Sequence, residues 1–177
     1  MVSAWVSPMG KTRVVFVDPG AKVNSSYYCN IVLEKGLLPD IRAICRNYRW
    51  TLQQGGALAH TARTMLDYLK KEHINFIEPH MWPPNSPDIN PVDYAVWDAL
   101  QQRVYHQRQF NTVEELKRAI VTECQKLSQR FIDITVSMNG VDVLKLLSRM
   151  AANTLSIATW LEQPHIILIL SRDKFSQ

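Results

Sequence analysis

A chain of 177 residues, 46% hydrophobic and 20% charged, with a formal net charge of +4, can bury a real core in one domain and is too ordinary in composition to be collagen-like or disordered. The mild positive charge is compatible with nucleic acid without demanding it, and no block of like charge forms a basic tail. The three cysteines, Cys29, Cys45 and Cys124, have no metal-binding spacing and read as reduced, partly buried thiols. The start, Met1 to Val6, lacks the length and basic flank of a signal peptide. The longest apolar run, Ile166 to Leu170, is far short of a membrane span. The expectation is a soluble intracellular chain with no membrane partner.

In chain order, Val2 to Val6 and Thr12 to Val17 are rich in β-branched and aromatic residues, and Ser7-Pro8-Met9-Gly10-Lys11 turns between them: a β-hairpin. Asn24 or Ser25 can cap a helix running to about Lys35, with Gly36 as its stop. Pro39 suits the first turn of a second helix, from about Leu38 to Tyr48. Trp50 to Gln54 reads as a strand broken by Gly55-Gly56, Thr61 to Lys71 as a helix, and Ile74 to Ile77 as a short strand. Further helices are expected from about Pro91 to His106 and from Thr112 to about Leu127, the latter opened by the capping box Thr112-Val113-Glu114-Glu115. Val141 to Met150 has helical spacing. Strands alternating with helices give an α/β or α+β domain.

Between the last two sheet signals and the next helix lies Trp82-Pro83-Pro84-Asn85-Ser86-Pro87-Asp88-Ile89-Asn90-Pro91-Val92-Asp93-Tyr94-Ala95-Val96-Trp97. Its prolines exclude regular structure at first; Asn90 and Pro91 then suit a helix start, with Asp93 in the first turn. The stretch resembles the signature that precedes the third acidic residue of mariner-type transposases, which cut and join DNA. The resemblance extends to Gln53-Gln54-Gly55-Gly56-Ala57-Leu58-Ala59-His60 and to Gln109-Phe110-Asn111-Thr112-Val113-Glu114-Glu115-Leu116. It covers about residues 1–131 as a partial catalytic domain and leaves 132–177 as a divergent C-terminal segment. It implies an α/β, ribonuclease-H-like mixed sheet with flanking helices, whose three carboxylates hold two Mg2+ ions for phosphodiester transfer.

By resemblance Asp93 is the third metal-binding, catalytic carboxylate; without the signature it would read as a helix-terminal Asp favoured by the dipole. At the second position the family has Asp and this chain has Gly55, with 37 residues between it and Asp93. The family's first strand, which carries the first Asp, precedes the hairpin and is missing here. Asp18 follows a strand, but a turn role in Asp18-Pro19-Gly20 is the better reading. His60 reads as a satisfied helix-start histidine rather than a base. Trp82 and Trp97 read as packing residues. Arg42, Arg46 and Arg49 fall at i, i+4 and i+7, one helical face that either tracks a DNA backbone or is simply solvated.

The resemblance implies a truncated, decayed or repurposed transposase domain: ancestrally magnesium-dependent in DNA cleavage and strand transfer, now without a complete metal site, and nuclear by resemblance, otherwise cytoplasmic. Weak, sequence-independent nucleic-acid binding is the expected residue of its function. A domesticated protein-interaction module and a functionless relic are the alternatives. No helix-turn-helix pattern is legible. Loss of a central first strand leaves Val2 to Val6 as an open edge inviting self-association, unless a partner or the Ile166 to Leu170 run fills the gap by strand addition.

Overall fold

The computed structural model describes residues 1–81, 95–106 and 108–135, together with the backbone of 166–172. Strand β1 (Val2–Ser7) is buried along its whole length, and its alternation sends residues to two cores. Val2, Ala4 and Val6 join Trp97, Leu100, Val104, Ile120, Cys124 and Ile132. Trp5 joins Tyr28, Leu33, Leu37, Ile41, Leu52, Met65 and Leu69 on the other face. The sheet is therefore the middle layer of three, with helices on both sides.

The expected hairpin forms, but its return strand is split into β2 (Gly10–Lys11) and β3 (Val15–Phe16), both antiparallel to β1. The pairing is Val6↔Lys11 at one end and Val2↔Phe16 at the other, so the return side carries one extra residue, a bulge. Thr12 repairs the ladder there: its N–H donates to the Trp5 carbonyl, and its side-chain oxygen accepts the Trp5 N–H at 3.0 Å.

Asn24 caps the next helix as expected, accepting the Tyr27 N–H at 2.9 Å. The helix does not stop at Gly36. It runs from α1 (Ser25–Tyr27) through a π-helical stretch (Tyr28–Leu37) into α2 (Leu38–Cys45). Gly36 serves packing instead: a Cβ there would meet Val15 Cγ2 at 2.9 Å and the Ile31 carbonyl oxygen at 3.0 Å. Pro39 has no N–H to give the Lys35 carbonyl one turn back. The Arg13 guanidinium supplies that donor, reaching the Lys35 and Gly36 carbonyls at 3.3 Å each, while its backbone N–H donates to Asp40. The wider π-helical turn and this arginine let one helix pass through a proline.

Strand β4 (Thr51–Gln53) follows. The helix expected from Thr61 is two pieces, α3 (Leu58–Thr61) and α4 (Arg63–Lys71), separated by an extended Ala62. Ile74 to Ile77 makes a parallel bridge, Leu52↔Phe76, rather than a full strand. On the opposite face lie α5 (Trp97–Tyr105), α6 (Val113–Lys126) and a helix over residues 129–135, α7. Thr112 caps α6 through the Glu115 N–H at 3.2 Å, and the Glu115 carboxylate accepts from Asn111, completing a variant of the expected box. Lys11 donates to the Gln125 and Leu127 carbonyls at the C-terminal end of α6, where a cation is favoured. The Gln129 amide donates to the Ser7 carbonyl at 2.8 Å, tying α7 to the end of β1. The helix expected at Val141 to Met150 lies outside the described residues.

The edge of β1 that the sequence leaves open is not open. Strand β5 (Ile166–Arg172) pairs antiparallel with β1 from Val2↔Arg172 to Val6↔Leu168 and parallel with β4 from Thr51↔Ile166 to Gln53↔Leu168. The order is β2-β1-β5-β4, with β3 also on β1. A chain segment from beyond the helices has entered between the hairpin and β4, where the resemblance places the family's first strand. Its five consecutive apolar residues suit a strand paired on both sides beneath two helical layers.

All three cysteines are free and buried, and burial pushes the Cys45 thiol up to about 11. A thiol reagent at pH 7.5 should label the native chain slowly and all three sites quickly once it is denatured. Gly36→Ala should cost about 1–3 kcal/mol in urea unfolding, because Val15 and the Ile31 carbonyl must both shift.

Candidate functional site

The site implied by the sequence lies where β4 ends. Thr51, Leu52 and Gln53 are buried, and the chain then turns through Gly55 and Gly56 into α3. His60 is buried at 7% exposure, with its ring packed on Tyr28 at a centroid distance of 4.3 Å. Its Nδ1 lies 3.0 Å from the Gly55 carbonyl oxygen. A carbonyl only accepts, so Nδ1 carries the proton. The histidine thus pins the turn that holds position 55, in agreement with a structural role for a helix-start histidine. The spacing of Tyr28 and His60 along the chain gave no sign of their contact.

Among the described residues nothing lies within 4 Å of a Cβ built on Gly55 or on Gly56. The fold has room for a side chain at position 55, so packing does not require glycine there. The side-chain amide of Gln54 beside it has no hydrogen-bond partner among the described residues. Continuing the parallel register from Gln53↔Leu168 by two residues on each strand sets Leu170 level with Gly55. Ile166 to Arg172 contains no Asp or Glu. The strand that completes the sheet therefore brings no carboxylate of its own to this level.

Asp93 and Trp82 lie outside the described residues. Trp97 is in the core, at 1% exposure. Asp18 is a turn residue: its carboxylate accepts the Tyr27 hydroxyl at 3.1 Å and its carbonyl accepts the Ala21 N–H. Among the described residues no group of three or more His, Cys, Asp or Glu converges as a metal site. Magnesium is held by hard oxygen ligands, and the described end of β4 with its neighbouring strand offers no carboxylate. These residues do not fit a two-metal centre.

The three arginines do not share a helical face. Helix α2 ends at Cys45, and Arg46 turns the chain away with φ 48°, which breaks the i, i+4, i+7 geometry. Arg42 remains on the helix and pairs with Glu72 at 3.0 Å. Arg46 and Arg49 lie in the exposed connection to β4 with Tyr48, itself 63% exposed. They form a basic loop next to a helix end rather than a stripe.

No protein-family model matches the chain. Over 121 residues it is 33% identical to the Tc3 transposase of Caenorhabditis elegans, a match covering 68% of this chain and 35% of that protein. The chain thus spans about a third of that relative's length. Its fold is similar to the Mos1 transposase catalytic domain solved with raltegravir and Mg, with a TM-score of 0.64 at 19% identity over 84% of this chain and 73% of that one. It is also similar to the Mos1 paired-end complex with the left transposon end, with a TM-score of 0.68 at 18% identity over 84% of this chain and 42% of that one. The fold is ribonuclease-H-like and mixed, as expected, and in sequence and fold the chain is similar to mariner-type transposase catalytic domains.

Because position 55 is open, Gly55→Asp should leave the unfolding free energy within about 0.5 kcal/mol of the parent. A large loss in thermal or urea melting would show that the turn excludes a side chain.

Proposed function

We propose that this chain, a relative of mariner-type transposase catalytic domains, is a transposase-derived domain in which metal-dependent DNA cleavage and strand transfer have lapsed. Weak, phosphate-directed nucleic-acid binding is what remains. The observation that carries this reading is the end of β4: at position 55, where the resemblance puts the second ligand, stands a glycine with no described residue within 4 Å of its Cβ position, and the adjoining strand has no acidic residue. Two magnesium ions acting on the attacking and leaving oxygens of a phosphodiester need several converging carboxylates. Asp93 alone supplies one. Magnesium is thus the family's metal, as its presence with the Mos1 catalytic domain indicates, and the described residues offer it no productive site.

Support for nucleic acid comes from Arg46 and Arg49 on an exposed loop beside Arg42 and Tyr48, and from the Mos1 relative's complex with a transposon end. Such a loop contacts phosphates without reading bases. Two or three such contacts give low affinity and a slope of about −2 to −3 in log K against log salt. The chain's likeness to transposases points to the nucleus. No described helix is long and apolar enough to cross a membrane.

Two outcomes test this. The purified chain should not nick a DNA duplex in Mg2+ or Mn2+, and Gly55→Asp alone should not restore nicking; metal-dependent nicking abolished by Asp93→Asn would overturn the reading. Fluorescence anisotropy should show duplex binding that fades with salt, varies little with sequence and disappears in Arg46→Glu/Arg49→Glu. Strong preference for one sequence would point to base readout instead.

A further inference from the structure

We propose that the loop of Arg46 to Arg49 takes unpaired nucleic-acid strands in preference to duplex, with the Tyr48 ring as the surface on which a base stacks. This rests on the reading above that the loop contacts phosphates, and it names the form of nucleic acid the loop selects.

The turn is built against its own residue preference. The Tyr48 N–H donates to the Cys45 carbonyl at 2.9 Å, closing a tight turn whose second residue, Arg46, has φ 48° and ψ −113°. This is the geometry of a II′ turn, in which the second residue is ordinarily glycine. A non-glycine residue held there is strained, and strain of this kind gathers at functional positions. Glycine would close the turn more easily, so folding gives no reason for an arginine. The loop is also anchored at both ends. Cys45 is fully buried and Trp50 packs against the same core, while Arg46, Asn47, Tyr48 and Arg49 are all exposed between them. A ligand therefore meets side chains carried on a backbone that needs little further ordering.

The side chains it carries are those an unpaired strand needs. Tyr48 is the only phenylalanine, tyrosine or tryptophan among the described residues that stands mostly in water. Arg13, Arg42 and Arg108 are held in ion pairs, whereas among the described residues neither Arg46 nor Arg49 is in one. Phosphates are common to single strands and duplex, so the two arginines serve both alike. Base faces are not common to both. In a duplex they lie stacked on one another, while in a single strand each is open to an aromatic ring. Tyr48 thus adds an interaction that only unpaired bases can take up.

The test is fluorescence anisotropy of the full chain with a short oligothymidylate, an oligouridylate of the same length and a DNA duplex of that length. The single strands should bind more tightly than the duplex, by about fivefold or more for a stacked base. Tighter binding of oligothymidylate than of oligouridylate assigns DNA as the source and the reverse assigns RNA; either one exceeding the duplex supports the proposal. Tyr48→Ala should bring the single strands down to the duplex level without changing the salt slope, and Tyr48→Phe should keep the preference. Arg46→Gly should reduce the slope of log K against log salt by about 1, while its Tm stays level or rises because the strain is relieved. An arginine kept for the fold would give the opposite in Tm. Arg63→Gln, which removes an exposed charge from α4, controls for net charge and should change neither affinity nor slope. Equal binding of single strands and duplex, with no effect of Tyr48→Ala, would overturn this proposal and leave phosphate contact by the loop standing. Binding of neither form, or binding that survives Arg46→Glu/Arg49→Glu, would overturn the phosphate reading and this proposal with it.

Discussion

The fold depends on pairing the backbone of β1 on both sides. This strand is buried along all six residues and feeds both cores, Trp5 into one and Val2, Ala4 and Val6 into the other. Helices cover both faces, so water cannot take up hydrogen bonds its backbone fails to make. On one side the hairpin serves, at the expense of a bulge that the Thr12 hydroxyl bridges. On the other side β5 serves, and it also holds β4 in the same sheet. A few unpaired buried groups at about 1–3 kcal/mol each would rival the roughly 5–15 kcal/mol that holds a domain together.

Local signals were legible where the cause is local. Asn24 and Thr112 cap helices because a side-chain oxygen beside a free N–H needs no tertiary help. The failures are tertiary. Gly36 has the sequence form of a helix stop, but the nearness of Val15 explains it, and nothing in the sequence places a strand there. Pro39 stands in the first turn of α2 as expected, but the chain before it does not break off: Arg13, distant in sequence, donates to the Lys35 and Gly36 carbonyls and the helix runs on. The arginine face failed because α2 ends at Cys45, three residues earlier than the spacing suggested.

The site divides along the same line. The residues that carry the family resemblance gave the fold class and the empty second position, because a missing side chain is visible in any sequence. The partner of β1 was another matter. The apolar run at 166–170 is one of the two occupants that the sequence offers for the gap, and it is the one that enters; its direction and register depend on pairing with strands more than a hundred residues away, which no periodicity encodes. The two demands on that position also differ in kind. A sheet asks its central strand only for extended backbone and apolar bulk, which many segments supply. A metal site asks for a carboxylate at one level of that strand, and Ile166 to Arg172 contains none.

The state of the turn at Gly55 follows from this separation. Were the glycine demanded by packing, its loss of a ligand would be a by-product of the fold. The space around it is open, and the turn is held from its backbone, by the His60 Nδ1–H on the Gly55 carbonyl. That hydrogen bond needs no side chain at position 55, and Tyr28 packs the imidazole from the helix across the core. The scaffold of the turn therefore persists whichever residue occupies it. A fold held by backbone pairing and by a histidine on a carbonyl can change the residue at this position without losing its shape.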